Sequence, residues 1–414
     1  MKIVEINTVC DTGSTGRIAA HIARISNEKG YEAYFAYGRG KHPNDIAGYK
    51  IGNKIDFIDH VLLNFFKGKS GFGSLSVTKK FLSWLDEVSP DIIHLHNIHG
   101  FYINIQLLFE YIKTHSIPVV WTLHDCWPFT GQCAYFDFSG CERWKEGCHD
   151  CPVYRTDYPY SLFCDNSKEN YLEKKRVFSG VKNLVIVTPS NWLSNLVKDS
   201  FLKEYPTLVI NNGIDTGVFR RLEIDQEKKR DLLIKHIGSR DAYDIQNKKI
   251  VLGVANIWSS RKGIDSFYRL AEILSEEYVI VLIGVSNKVR RICKKRYSGR
   301  IIGIGHTDSV GELAEWYNIA NVYVNPTLED NYPTTNIEAL ACGTPVITYD
   351  VGGSSETIIA GHGRTVKKGD VEELAKEIED VIGRNETFEY ENIYLDASVR
   401  LSQYTDLFNK LVNK

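Results

Sequence analysis

Short β-branched runs alternate with longer amphipathic stretches along this chain, in two series separated by a charged interval. The first series holds IVEI after Lys2, YEAYFAY from Tyr31, DIIHLH from Asp91, PVVWTLH from Pro118, LVIVTPS from Leu184 and LVINNG from Leu208. Helical patterns such as GRIAAHIARISNEKG and NIQLLFEYIKTH lie between these runs. The second series holds KIVLGVANI from Lys249, YVIVLIG from Tyr278, RIIGIG from Arg300, NVYVNPT from Asn321 and TPVITYD from Thr344. Strand, helix, strand in series gives parallel sheets covered by helices, so the expected fold class is α/β, with two Rossmann-like domains in tandem. A chain of 414 residues has the length for two such cores. The expected division is residues 1–217, with a Cys-rich insert at 126–152, then residues 218–395, then a C-terminal helix over 396–414 returning to the first domain. TGVFRRLEIDQEKKRD, poor in apolar anchors, reads as linker. Ligands of open parallel sheets bind beyond the carboxyl ends of the strands, so two such domains facing each other would make one cleft.

Fifty Lys+Arg against 52 Asp+Glu leave a net charge of -2, which removes the global electrostatic argument for a nucleic-acid partner. No stretch approaches the ~20 apolar residues of a membrane-spanning helix. MKIVEINTVC reads as a short strand without the apolar centre and cleavage site of a secretory signal, so the expected location is the cytoplasm, where thiols stay reduced.

The segment NPTLEDNYPTTNIEALACGTPVIT decodes as strand, loop, helix, strand. Asn325 and Pro326 end a strand, Leu328 to Pro333 form a loop, Thr334 or Thr335 caps a helix, Gly343 closes it and Pro345 opens the next strand. Such a helix start offers backbone N–H groups and a partial positive charge to a phosphate or diphosphate. Asp330 in the loop and Glu338 in the helix flank it. For an isolated acidic pair the plainer reading is a carboxylate near a helix dipole and a solvated helix residue.

This wording resembles the second-domain signature of retaining glycosyltransferases of the GT-B fold, of the large family 4 type, which carries Glu, seven residues, Glu, then a helix and ACGTPV. Here Asp330 stands at the first position, with Glu329 before it and Glu338 at the second. The EDNYP wording is similar to the branch that builds capsular, exopolysaccharide and colanic-acid-like units. VLGVANIWSSRKGIDSF resembles the family's basic diphosphate site, Lys262 matching its lysine; Ile257 replaces its arginine, and Arg261 stands as the second charge. GIGHTDSVGELAEWYNIANVYVNPT, with Gly305 and His306, resembles the segment framing the base, and TLHDCWPF places His124 where the family often sets a histidine against the donor sugar.

The resemblance implies transfer of a sugar from a nucleotide-diphosphate donor to a lipid-linked polysaccharide precursor, without a catalytic metal. The departing diphosphate needs cations and N–H dipoles, a role for Arg261, Lys262 and the backbone N–H groups from Asn331 and Tyr332 to Thr334 and Thr335. Glu338 would hold the ribose hydroxyls and Asp330 those of the sugar. Gly13 and Gly16 in DTGSTGR would let the first-domain loop approach phosphates and acceptor. No general base is assigned. His94, His96 and His99 are read as wall or acceptor-site residues, with a metal pair as the lesser reading, and Ser190 and Asn212 as turn or cap residues. Two other classes stay open: a non-catalytic nucleotide-sugar-binding subunit and a nucleotide-sugar epimerase.

Two segments stand outside this frame. Cys133, Cys141, Cys148 and Cys151 run as C-x7-C-x6-C-x2-C. Four soft ligands suit a structural tetrahedral zinc; free thiols with a packing role, and disulfides or redox chemistry, are the alternatives. Between His60 and Leu85, Lys67, Lys69, Lys79 and Lys80 mingle with Phe65, Phe66, Phe72 and Trp84. That mixture fits either contact with an anionic membrane, at the inner face of the cell membrane, or two core helices with lysines on the solvated side.

Overall fold

Apolar runs that bury on both faces belong in parallel sheets, and the computed structural model, which describes residues 1–358, 361–384 and 394–413, builds two of them. The first contains β1 (Lys2–Val9), β2 (Glu32–Arg39), β3 (Ala47–Lys50), β4 (Ile92–Leu95), β5 (Val119–Thr122), β6 (Leu184–Thr188) and β7 (Thr207–Val209), in the order β3-β2-β1-β4-β5-β6-β7. The second contains β8 (Lys249–Val254), β9 (Tyr278–Ile283), β10 (Ile301–Ile304), β11 (Val322–Asn325), β12 (Val346–Tyr349) and β13 (Gly363–Val366), in the order β10-β9-β8-β11-β12-β13. Every pairing is parallel, and each order reverses beside the first strand of its sheet, which is the doubly wound arrangement.

The chain divides into a unit of Met1–Asn212 with Ser398–Lys414 and a unit of Gly213–Ala397. The second unit starts earlier than residue 218 because Ile214 bridges Asp396, its N–H donating to the Leu395 carbonyl at 2.8 Å. The stretch read as linker is partly ordered structure. Asp225 caps the Gln226–Ile237 helix through the Lys228 N–H at 2.8 Å, and Phe219 and Leu233 bury in the second unit's core. The closing helix, Ala397–Val412, packs on the first unit, where Thr122 donates to the Tyr404 hydroxyl at 3.0 Å and Lys29 donates to Thr405 at 2.6 Å.

Of the two readings of this region, the helix Lys54–Lys67 takes the one with its apolar side outward. Its buried residues are His60 and Asn64, whereas Ile55 and Phe66 are 69% and 51% exposed, with Ile58 and Leu62 between them on the outer side. Hydrogen bonds account for the orientation. His60 Nε2 accepts the N–H groups of Gly71 and Gly73 at 3.2 and 3.1 Å, and Asn64 donates to the Tyr160 carbonyl at 2.8 Å. No described helix is long and apolar enough to cross a membrane.

Candidate active site

In the second unit, β11 ends at Asn325 and the chain runs through the acidic loop into the Thr334–Ala341 helix. The helix starts as expected, but its cap does not match: Pro333 occupies the N-cap and no side chain bonds there, so Thr334 and Thr335 are the first two helical residues, half-buried. The Asn336 N–H donates to the Pro333 carbonyl at 3.2 Å, but the N–H groups of Thr334 and Thr335 have no acceptor within their own helix, and this end of the segment keeps those donors for an anion. Gly343, at φ 77°, terminates the helix.

Two neighbouring segments fix the acidic loop. The Ser260–Lys262 turn, capped by Ser259, meets it from β8: the Leu328 N–H donates to the Arg261 carbonyl at 2.8 Å, and Arg261 Nη1 donates to the Glu329 carbonyl at 3.0 Å. From β12, the Gly353 N–H donates to the Asp330 carbonyl at 3.1 Å; a Cβ on Gly352, at φ +55°, would lie 2.0 Å from that same oxygen. Only glycine permits this approach, and Gly352 and Gly353 went unnoticed in the sequence although VGGSS marks a turn.

The loop brings Asp330 against Lys262, whose Nζ donates to Oδ2 at 2.5 Å, while Oδ1 accepts the Asn331 N–H at 2.9 Å. Glu338 is buried in the helix and its Oε2 accepts the Tyr317 hydroxyl at 3.0 Å, so it is not a solvated helix residue. Burial, with the Glu338 charge beside it, holds the Tyr317 phenol far above its usual range. The Tyr323 phenol is raised by burial too, with the Glu338 and Asp330 charges both acting on it. Lys262, Asp330 and Glu338 therefore share one neighbourhood. Asn331 and Tyr332 are buried. Gly305 accepts from the Gly284 N–H at 3.0 Å, and His306 beside it is exposed. Ile257, at the position of the family's arginine, is 74% exposed.

In the first unit, the Gly13–Glu28 helix opens on Gly13 itself, at φ +65° with open space on its Cα side. Gly16 serves packing: a Cβ there would sit 3.0 Å from the Val9 carbonyl. Ser190 caps the Asn191–Asp199 helix, accepting the Leu193 N–H at 3.1 Å.

His124 follows β5, and its Nε2 lies 2.9 Å from His96 Nδ1, whose other nitrogen lies 2.9 Å from Glu5 Oε2. His94 Nδ1 is 2.8 Å from the same oxygen, and its Nε2 is 2.8 Å from the Thr122 hydroxyl. Glu5, His94 and His96 have their ligand-type atoms within 4.8 Å of one another. The His96–Glu5 and His94–Thr122 separations near 2.9 Å are those of hydrogen bonds, while His94 Nδ1 and Glu5 Oε1 are buried without a hydrogen-bond partner among the described residues, so the trio reads as a buried polar network that is only partly satisfied. His94 and His96 are thus interior, not wall, residues. Burial lowers His124 to about 4 and His94 and His96 to about 3, and raises Glu5. His124 is consequently a neutral imidazole at pH 7, oriented from below by Glu5 through His96. His99 Nε2 lies 2.9 Å from Asp125 Oδ2, and its Nδ1 3.1 Å from the Tyr158 hydroxyl. Burial alone would raise Asp125; His99 and the Trp127 N–H outweigh it and leave it lowered. Glu5 was missed in the sequence because it sits inside an apolar strand.

The four cysteines Cys133, Cys141, Cys148 and Cys151 line one small cavity in the segment that follows.

Two family descriptions match the chain: "Glycosyltransferase Family 4" over residues 15–218 and "Glycosyl transferases group 1" over residues 238–392. A relative from Escherichia coli (strain K12), "Putative colanic acid biosynthesis glycosyl transferase WcaC", is 24% identical over 397 residues, 91% of this chain and 90% of the relative. The N,N'-diacetylbacillosaminyl-diphospho-undecaprenol alpha-1,3-N-acetylgalactosaminyltransferase of Campylobacter jejuni is 26% identical over 209 residues, 49% of this chain and 52% of that protein. Among solved structures, sucrose-phosphate synthase from Thermosynechococcus elongatus shares the fold at TM-score 0.70 and 16% identity, covering 99% of this chain and 98% of that one.

Proposed function

The chain belongs to the glycosyltransferases of family 4 and group 1, and from that premise we propose that it moves a sugar from a nucleotide-diphosphate donor to a lipid-linked polysaccharide precursor, with retention of configuration. The observation that carries this reading is the Lys262–Asp330 pair set beside Glu338 at the start of the Thr334–Ala341 helix. Negative charge grows on the diphosphate as the glycosidic bond breaks; Lys262 and the first-turn N–H groups stabilise it there, and Arg261 holds the loop that presents them. Asp330 accepts sugar hydroxyls and Glu338 accepts those of the ribose. A phosphate oxygen of the leaving group takes the acceptor proton, and His124 serves the sugar as a neutral polar contact.

The first unit supports an acceptor at a membrane surface. The outward stripe Ile55, Ile58, Leu62 and Phe66 lies on a helix flanked by Lys54 and Lys67, and Phe163, 57% exposed, stacks on Phe66 with ring centroids 5.3 Å apart. Asp56 and Asp59 balance the two lysines on this helix, so it is the exposed apolar strip, rather than charge, that fits a helix lying in the headgroup layer. The relatives named for a colanic acid and an undecaprenol-linked substrate agree with such an acceptor.

The test is donor turnover. Purified chain is screened against a nucleotide-sugar panel by thermal shift, a ligand at about 100 times its Kd adding ~2.7 kcal/mol. The donor found is then incubated with lipid-linked saccharides. Nucleoside diphosphate release that needs both substrates and disappears in Glu338→Ala is the expected result. Release of an isomerised sugar nucleotide without acceptor would indicate an epimerase, and binding without release across all acceptors a donor-binding subunit; either overturns the proposal.

A further inference from the structure

We propose that Cys133, Cys141, Cys148 and Cys151 bind one zinc ion as a closed tetrathiolate site that braces the segment carrying Tyr158. Their side chains line a single cavity of about 10 Å³, floored by Trp144 and Phe136. That volume is about the room one water or one ion needs. All four cysteines are free thiols, so no disulfide competes for them.

Three further observations point to a cation at this position. A backbone N–H group is aimed at one of the sulfurs: Gly131 donates to Cys148 Sγ at 3.1 Å. Hydrogen bonds of this kind stabilise a thiolate more than a thiol. The turn between Cys148 and Cys151 passes through Asp150 at φ 43°, and Arg143 ties it down by donating to the carbonyls of His149 and Asp150. Beneath the cavity lies Lys174, fully buried. Its Nζ donates to the carbonyls of Trp127 and Thr130 at 2.8 and 3.1 Å and sits 3.4 Å from the centre of the Trp127 ring. Its electrostatic neighbours are Cys148, Cys133 and the Asp125 carboxylate. Four thiolates around a divalent ion carry a net charge of about -2, and Lys174 offsets half of it. Each thiol releases its proton to solvent as its sulfur–metal bond forms.

The sulfurs are spaced more widely than the 4.8 Å that joins Glu5, His94 and His96. Zinc–sulfur bonds of about 2.3 Å set tetrahedral sulfurs roughly 3.8 Å apart, so metal binding draws the loop inward. The chemistry does not extend to sugar transfer, because a four-thiolate site has no open position. Its reach is mechanical. The segment it closes continues to Tyr158, whose hydroxyl meets His99, the partner of Asp125 beside His124.

Elemental analysis of the purified full-length chain tests this. About one zinc per chain is expected, lost in Cys148→Ser and Cys151→Ser and kept in Cys164→Ser, an exposed thiol outside the set. Should the first two variants fail to fold, the wild-type chain gives the answer alone. Chelator treatment should lower its melting temperature and expose four more reactive thiols, and cobalt reloading should give thiolate-to-cobalt absorption with tetrahedral visible bands. A folded chain with less than about a fifth of an equivalent of zinc, cobalt without thiolate absorption, or disulfides found by mass mapping overturns the proposal.

Discussion

Replacing Lys262 by alanine removes the cation that stands against Asp330 at 2.5 Å. If that ammonium meets the diphosphate, its loss costs what one preorganised donor to a developing anion costs, about 2.7–4 kcal/mol. A direct charge estimate agrees: two unit charges about 4 Å apart at an effective dielectric of about 20 interact by about 4 kcal/mol. The expected fall in kcat/KM is therefore roughly 10²–10³-fold, at about 1.4 kcal/mol per decade. Folding suffers less. Lys262 and Asp330 side chains are 28% and 13% exposed, and Asp330 keeps the Asn331 N–H, so the pair is worth about 1–2 kcal/mol, between surface and buried pairs. The melting temperature should drop by roughly 2–8 °C. The two effects separate in Lys262→Ala/Asp330→Asn, which removes both charges: melting should recover and turnover should not. The assay is nucleoside diphosphate release well below the transition. Turnover of Lys262→Ala within threefold of the parent, or a double variant that regains both properties, refutes the role of Lys262.

Acid should unfold the chain steeply. His60 and His124 are lowered to about 4 and His94 and His96 to about 3 by burial, so the unfolded chain binds protons near pH 6.5 that the folded chain refuses. The stability these four histidines contribute is full above about pH 6.5 and falls as pH drops toward 4; Glu5, raised by burial, acts in the opposite sense. Uptake by four histidines corresponds to at most about 5 kcal/mol per pH unit, checked by denaturant melts between pH 7 and 5; a flat profile would contradict the buried network. Leu62→Glu and Phe66→Glu, on exposed positions, should leave melting within about 0.5 kcal/mol of the parent while cutting sedimentation with anionic vesicles at least tenfold; unchanged sedimentation removes the membrane reading.

The second-unit site was legible because its parts are neighbours in sequence: the strand end, the acidic loop, the helix and Gly343 fall within residues 325–343. Lys262 was legible only by resemblance, since its partner Asp330 is 68 residues away. Long-range pairing also hid Glu5, which meets His96 across 91 residues and reads locally as one polar residue in an apolar strand. The edge strands β3 and β13 escaped notice because AGYK and GRTV have no apolar run to bury. The Lys54–Lys67 helix stayed open between two readings for a different reason. Apolar periodicity locates a face but does not say which way it turns, and His60 and Asn64 settle that by hydrogen bonds to a loop.

The helix Ala397–Val412 has a consequence for how this chain is made. Tyr404, tilted, and Phe408, edge-on, meet His94 with ring centroids 5.0 and 5.3 Å away, and so cover the imidazole from the chain's far end. Ribosomes add about 5–20 residues per second, so once Asn212 is made the 213–397 stretch delays the first unit's covering helix by a further roughly 10–40 s. The half that emerges first is thus the half that finishes last, and a stop codon near residue 396 would leave it an open sheet awaiting a chaperone.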